Sequence, residues 1–189
     1  MSKRNRTGGL PPCPFSPPYR GHRVRVANYL DQVRVGGTMY LQTDDLDKAD
    51  VLIPLTGCSE LLFGGRYMLD ASAQPSKLPA FKEGRLYDIL CGKMDDMGGV
   101  PDGWEAFLRE QVVPLLVEGR SILAFCFAGQ GRTGTFLASL IAILEPDVAD
   151  PIEAVRHRYS GHAVETRAQA EAIFAIKGKS LPKRWQHLN

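Results

Sequence analysis

The 189-residue sequence has no apolar run of the roughly 18 residues that a membrane helix needs. Its best candidate, 136–144, stops at Glu145 and Pro146. It also lacks a dominant charge. The 23 basic and 21 acidic side chains leave a net charge of +2, too little for a nucleic-acid surface, so no nucleic acid is expected as a partner. Cysteine is scarce: Cys13, Cys58, Cys91 and Cys126 show no C-x-x-C pairing, which argues against a structural zinc site. His22, His157, His162 and His187 show no ligand spacing either, so no metal and no cofactor are expected. The basic start is followed by Pro11, Pro12, Pro14, Pro17 and Pro18 rather than by an apolar stretch. A secretory leader is therefore not expected, and reduced thiols in a cytoplasm are. No internal repeat is visible.

What is present fits one globular domain, with 44% hydrophobic and 23% charged residues. Residues 1–22 read as a proline-rich lead-in, 23–178 as a single domain, and 179–189 as a basic tail carrying Lys179, Lys183 and Arg184. That tail is either solvated or docked on an acidic partner. Short apolar runs at 38–41, 51–55, 85–90 and 121–125 predict strands, and the second is continuous, as in a buried parallel sheet. The spacing of Trp104, Phe107, Leu108, Val112 and Leu115 predicts a helix over 103–117, started by Asp102 and Glu105 and kinked by Pro114. Residues 133–144 are apolar nearly all round and predict a central buried helix. Asp150-Pro151-Ile152-Glu153 predicts a further capped helix that places Ile152, Val155 and Tyr159 on one face. Thr166-Arg-Ala-Gln169 opens the last helix as a capping box. The fold class expected is α/β: a central, mostly parallel sheet of four or five strands flanked by helices.

The segment that carries chemistry is Cys126-Phe-Ala-Gly-Gln-Gly-Arg132-Thr133-Gly134. It joins a central apolar strand to the buried helix. A loop that opens a helix aims unpaired N–H groups at one spot, where the helix dipole is positive. Gly129 and Gly131 let the backbone curl so that these groups converge on an anion. The same field stabilises a thiolate at Cys126. Arg132 adds a planar fork that matches two phosphate oxygens. Phe127, Ala128, Gly129, Gln130, Gly131 and Arg132 are thus the candidate phosphate-binding positions. A nucleotide-type phosphate loop is not matched, since no lysine precedes Thr133. The Thr133 hydroxyl can hydrogen-bond the sulfur, cap the helix, or both.

This pattern resembles the cysteine-dependent protein tyrosine phosphatase superfamily, whose loop is C-x5-R followed by Ser or Thr, and in particular its dual-specificity branch. The overall order resembles that family from about Val35 to Ile176. The resemblance implies a metal-independent phosphomonoester hydrolase working through a phosphocysteine intermediate, with Cys126 and Arg132 catalytic. It also implies a general acid. Asp88, Asp95, Asp96 and Asp102 are available, and Asp96 is favoured because the cyclin-dependent-kinase-associated phosphatases carry a similar Asp-x-Gly-x-x-Pro-Asp stretch. Gln169 resembles the family's water-orienting glutamine, although the capping box accounts for it equally well. Arg156 and Arg158 either widen the positive entrance or sit solvated on their helix. The sequence departs from the family where Phe125 replaces the usual histidine before the cysteine.

The implied partner is a phosphorylated protein, bound by a monomer, with phosphotyrosine and then phosphoserine or phosphothreonine as substrates. Loop positions 127, 128 and 130 carry no lysine, which weighs against phosphoinositide and inositol phosphate; an RNA 5′-triphosphate is a further alternative on the same loop chemistry. A non-catalytic phosphate-binding module and a sulfurtransferase are the remaining alternatives. Cys58 and Cys91 are either simply buried or poised to bridge Cys126 on oxidation.

Overall fold

The computed structural model describes residues 22–29, 32–57, 62–70 and 85–189. The lead-in up to residue 21, Cys13 and Cys58 lie outside them.

Six strands form one sheet in the order β1-β2-β6-β3-β5-β4. They are β1 (His22–Arg23), β2 (Val33–Gly37), β3 (Val51–Pro54), β4 (Arg66–Asp70), β5 (Leu86–Leu90) and β6 (Ile122–Cys126). β2, β6, β3 and β5 run parallel, and β1 and β4 close the edges antiparallel. The expected parallel core is therefore present, with two further edge strands. The strand expected at 38–41 lies earlier, at Val33–Gly37, and residues 38–40 turn. Gly36 and Gly37 look like strand breakers, yet both remain in the strand. A Cβ on Gly37 would lie 2.6 Å from the Ala128 carbonyl carbon, so glycine lets the loop after β6 press against this strand.

β6 is apolar and fully buried because it is central and covered on both faces. Ile122, Ala124 and Cys126 face the main core, and Leu123 and Phe125 face a second core with Leu41, Leu46, Leu52, Tyr87 and Ile89. The helix α1 (Thr43–Leu46) supplies Leu46 to that second face.

The main face carries the remaining helices. α2 (Trp104–Phe107), a π-helical stretch (Leu108–Val112) and α3 (Val113–Val117) replace the single helix expected over 103–117. Pro114 has no N–H to continue the α ladder, and the backbone widens just before it. Asp102 does not cap this helix: the cap is Gly103, left-handed at φ 78°, with no side-chain bond. α4 (Gly131–Leu144) is buried along most of its length, as its uniform apolarity predicts. α5 (Pro151–Arg158) begins at Asp150, whose carboxylate accepts from the Glu153 N–H at 2.8 Å. α6 (Arg167–Ile176) begins with the expected capping box of Thr166 and Gln169.

The segment 179–189, for which solvation and docking on an acidic partner were both open, is docked. Trp185 is 7% exposed, its indole N–H donates to Asp150 at 2.8 Å, and the Arg156 guanidinium lies 4.6 Å over its ring. Arg184 pairs with Asp150 and Glu153. The acidic partner for these basic residues is thus the start of α5 in the same chain. Among the described residues no helix is long and apolar enough to cross a membrane.

Candidate active site

Cys126 ends β6 at the carboxyl edge of the parallel strands, between β2 and β3. This is where α/β sheets place their ligands. From there the loop turns back over β2. The Thr38 N–H donates to the Cys126 carbonyl at 2.8 Å and the Met39 N–H to the Phe127 carbonyl at 3.3 Å. Gly129 is left-handed at φ 78°, and a Cβ there would meet Gly36 and Gly37 backbone at 2.9 Å. Only glycine makes that close pass without strain.

The curl brings the loop onto the sulfur. Cys126 Sγ accepts from the Gly129 N–H at 3.2 Å and from the Thr133 hydroxyl at 3.1 Å. Thr133 therefore takes the sulfur contact left open by the sequence, and lies 3.4 Å from the Gly36 carbonyl. Phe125, where the family's histidine stands, is fully buried in the second core, so its ring supports the strand and takes no part in the sulfur's polar contacts.

A cavity of about 190 Å³ opens above the sulfur, lined by Cys126, Phe127, Ala128, Gly131, Arg132 and Glu165, with Asp96 and Met97 at its side. It is small beside the roughly 300–1,000 Å³ of a typical ligand pocket, and suits one compact anionic group. Arg132 is 8% exposed and its Nη2 lies 3.0 Å from Asp96 Oδ1. Cys126, Arg132 and Asp96, expected together, thus share one cavity. Gly129 and Gln130 shape the curl from behind, Gln130 as the residue preceding α4.

Other expected residues lie elsewhere. Asp95 is exposed and does not line the cavity. Asp88 is held by Arg66 (2.6 Å) and Arg120 (2.9 Å) and does not line the cavity, and the Arg66 hydrogen bond in particular holds its carboxyl below the usual range. Gln169 is 1% exposed and does not line the cavity. Its Oε1 accepts from the N–H groups of Glu165 (2.9 Å) and Thr166 (3.3 Å). Arg156 and Arg158 do not widen the entrance. Arg156 donates to the carbonyls of Ala163 and Val164, each at 2.9 Å, and Arg158 forks onto Glu145. Cys91 ends up next to β5 and is buried. β3 lies between β5 and β6, which sets Cys91 two strand spacings, roughly 9–10 Å, from β6. That exceeds the roughly 7 Å limit for a disulfide without backbone movement.

Two residues were missed. Tyr159 reads as a core aromatic, yet its hydroxyl donates to the Gly129 carbonyl and holds the loop from below. Glu165 hides inside the capping-box pattern. A Cβ placed on Gly131 would fall 1.9 Å from Glu165 Oε2, so this carboxyl rests on the first turn of α4. Burial raises its pKa first and the Asp96 charge adds to this, while Arg132, the Gly131 N–H and His162 oppose. Among the described residues no cluster of His, Cys, Asp or Glu is arranged to hold a metal.

No protein-family model matches the chain. Two uncharacterized proteins of Methanocaldococcus jannaschii are similar to it, 41% identical over 63 residues and 40% over 65. Each match covers about a third of this chain and only 42% and 38% of those relatives. A mouse protein named as a probable ATP-dependent RNA helicase is 32% identical over 80 residues, 16% of its length. The structural likenesses span more of the chain and most of each neighbour. Tk-PTP in its active form superposes with a TM-score of 0.58 at 20% identity, over 78% of this chain and 92% of that one. Kinase associated phosphatase gives 0.54 at 12% identity, over 83% and 96%. PTPMT1 in complex with PI(5)P gives 0.53 at 16% identity, over 83% and 96%. The chain has the fold of the cysteine-based tyrosine and dual-specificity phosphatases.

Proposed function

We propose that the protein is a phosphomonoester hydrolase that works through a phosphocysteine intermediate and acts on phosphotyrosine in proteins, with phosphoserine and phosphothreonine as further substrates. The carrying observation is the sulfur of Cys126, hydrogen-bonded by the Gly129 N–H and the Thr133 hydroxyl in a cavity walled by Arg132. The thiolate attacks phosphorus in line with the ester oxygen. The loop N–H groups and the Arg132 fork hold the equatorial oxygens as charge redistributes. A carboxylic acid at the cavity, Asp96 by position, protonates the leaving oxygen and then takes a proton from the water that cleaves the S–P bond. Thr133 donates to the departing sulfur in that second step. Arg132 and the amides supply the positive charge that a metal would otherwise bring, so turnover needs no cofactor.

The rim supports an aryl phosphate carried on a protein. Met97 and Phe127 line the cavity and are each 57% exposed. Met39, 56% exposed, is tied by its N–H to the Phe127 carbonyl. Arg132 is the sole cation among the cavity's lining residues, accompanied by Asp96 and Glu165. An apolar rim with acids suits a single phosphate on a ring and repels polyphosphates. The protein acts as a monomer in the cytoplasm in this reading.

The test is turnover of para-nitrophenyl phosphate with EDTA present, beside Cys126→Ser. Turnover by the wild type and none by the variant is expected. Activity that survives in Cys126→Ser, or that chelation abolishes, refutes the mechanism. A phosphopeptide panel beside phosphoinositide vesicles then separates protein from lipid substrates.

A further inference from the structure

We propose that Glu165 is a second general acid–base of this site, working beside Asp96 on the proton of the leaving oxygen and of the attacking water. The proposal rests on the phosphatase reading.

Three observations of geometry lead to it. First, Glu165 lines the same cavity as Cys126 and Arg132, and its Oε2 packs on Gly131, the residue that starts α4. Second, its backbone is held in place. The Glu165 N–H donates to Gln169 Oε1, and Arg156 grips the two preceding carbonyls. The residue before it, Val164, sits at φ 63°, a left-handed conformation that a β-branched side chain adopts only when its surroundings force it. Ala27, Met97 and Val164 are the non-glycine residues at positive φ among the described residues. Met97 directly follows Asp96 and Val164 directly precedes Glu165, so two of these strained positions each adjoin a cavity carboxyl. Third, the two acids have unlike surroundings. Asp96 is 76% exposed and bound to Arg132. Glu165 is half-buried and makes no ion pair with that guanidinium.

The groups that face the Glu165 carboxyl are Asp96, Arg132, His162 and the Gly131 N–H. Burial and Asp96 outweigh the rest and favour the protonated form, which a proton donor needs. In the first step the Cys126 sulfur bonds to phosphorus, the P–O ester bond breaks, and the leaving oxygen takes the Glu165 proton. In the second, water oxygen bonds to phosphorus, the S–P bond breaks, and the water proton returns to Glu165. The thiolate and the acid are both restored, so no other reactant is needed. The position also explains Gln169: its oxygen fixes the loop that carries Glu165, which makes Gln169 a positioning residue.

The experiment compares wild type, Glu165→Gln, Asp96→Asn and the double variant on phenyl phosphate and on 2,4-dinitrophenyl phosphate, whose leaving group departs without a proton. General acid–base catalysis contributes about 10²–10⁴-fold. With a second acid present, each single variant should lose about tenfold to a hundredfold on phenyl phosphate and much less on the dinitro ester. The double variant should fall well below either. Glu165→Gln should also move the alkaline limb of the kcat/KM profile, and Glu165→Asp, which keeps the carboxyl, should recover part of the loss. Equal losses on both esters, or none on either, overturn the proposal. So does a Glu165→Gln change that adds nothing in the Asp96→Asn background. If Cys126→Ser stays active, the phosphatase reading itself fails, an outcome separate from all of these.

Discussion

Gly134→Ala places two effects of known size in opposition. Gly134 is the fourth residue of α4, and glycine inside a helix costs about 1 kcal/mol relative to alanine. Helix propensity alone therefore predicts a stabilised variant. The structure predicts the reverse. A Cβ at 134 lies 2.6 Å from Ala163 Cβ and 2.8 Å from both Ala163 Cα and Val164 N. Ordinary carbon contacts sit at about 3.5–4.0 Å, so the 163–164 backbone must retreat by roughly an ångström. Two of the three obstructing atoms belong to that backbone, and Arg156 pins it through two 2.9 Å hydrogen bonds. Overpacking costs roughly 1–3 kcal/mol, and loss of one bond from a charged donor about 1.5–3 more. After the helix gain, a net loss of about 1.5–5 kcal/mol remains. Urea unfolding reads it as a lower midpoint at unchanged slope. The shifted loop carries Glu165, so turnover of phenyl phosphate should fall as well. Gly161→Ala is the control, since nothing lies within 4 Å of its Cβ position, and it should stay within about 1 kcal/mol of wild type. A Gly134→Ala variant as stable as wild type, or more so, would refute the reasoning.

Thr133→Ala removes a 3.1 Å hydrogen bond to the sulfur. A bond to a charged group is worth about 1.5–3 kcal/mol, so release of phosphate from cysteine should slow about tenfold to a hundredfold, seen as a larger burst in rapid-quench kinetics. Phe127→Ala should raise KM several-fold for aryl phosphates and little for alkyl ones, because the exposed ring is the apolar wall of the mouth. Trp185→Ala should cost about 3–5 kcal/mol as a drop in the urea midpoint, since the ring is buried between Arg156 and Asp150. The Ser121 N–H holds Asp50 below its usual pKa and Arg66 does so for Asp88. Burial pushes Glu145 up, but Arg158 and the Ala27 N–H leave it lowered. Their folded-state values lie below the unfolded ones, so their stabilisation is present above about pH 4–5 and is lost as pH falls through the lowered values. Asp88→Asn should flatten that part of a urea-midpoint series; an unchanged acid limb would remove Asp88 from the account.

The nucleophilic loop was legible because its requirements are local. Cys126, Gly129, Gly131 and Arg132 meet around one turn, and only the order strand, glycines, helix was needed to read them. Asp96 was singled out by the resemblance of 96–102 to an Asp-x-Gly-x-x-Pro-Asp stretch, and its place beside Arg132 at the cavity is what folding adds. Glu165 was not, because its contact with Gly131 is tertiary and its neighbours already made sense as a helix start. Tyr159 was read correctly as buried, but periodicity places a ring and says nothing about where its hydroxyl points. The strand at Val33–Gly37 was misplaced because two glycines mimic a break, when Gly37 is there to admit Ala128. The docking of the basic end was left open because its acidic partners, Asp150 and Glu153, lie about 30 residues earlier and meet it only after folding.

The free site raises a charge problem whose solution links its two acids. Arg132 brings one positive charge and the start of α4 about half of another. Asp96 and Glu165, both ionised, would cancel that and leave nothing for a phosphate dianion. One acid must yield. Asp96 can do so by swinging out to water, since its side chain is 76% exposed, so the phosphate takes its place on the guanidinium. Glu165 has no such exit. Its backbone is held by Gln169 and its carboxyl rests on Gly131, so it can yield only by keeping its proton, which is the direction in which its surroundings shift it. Substrate arrival strengthens that shift, because a second anion now faces it. The dianion that needs a proton on its leaving oxygen thus helps to hold one on the carboxyl beside it.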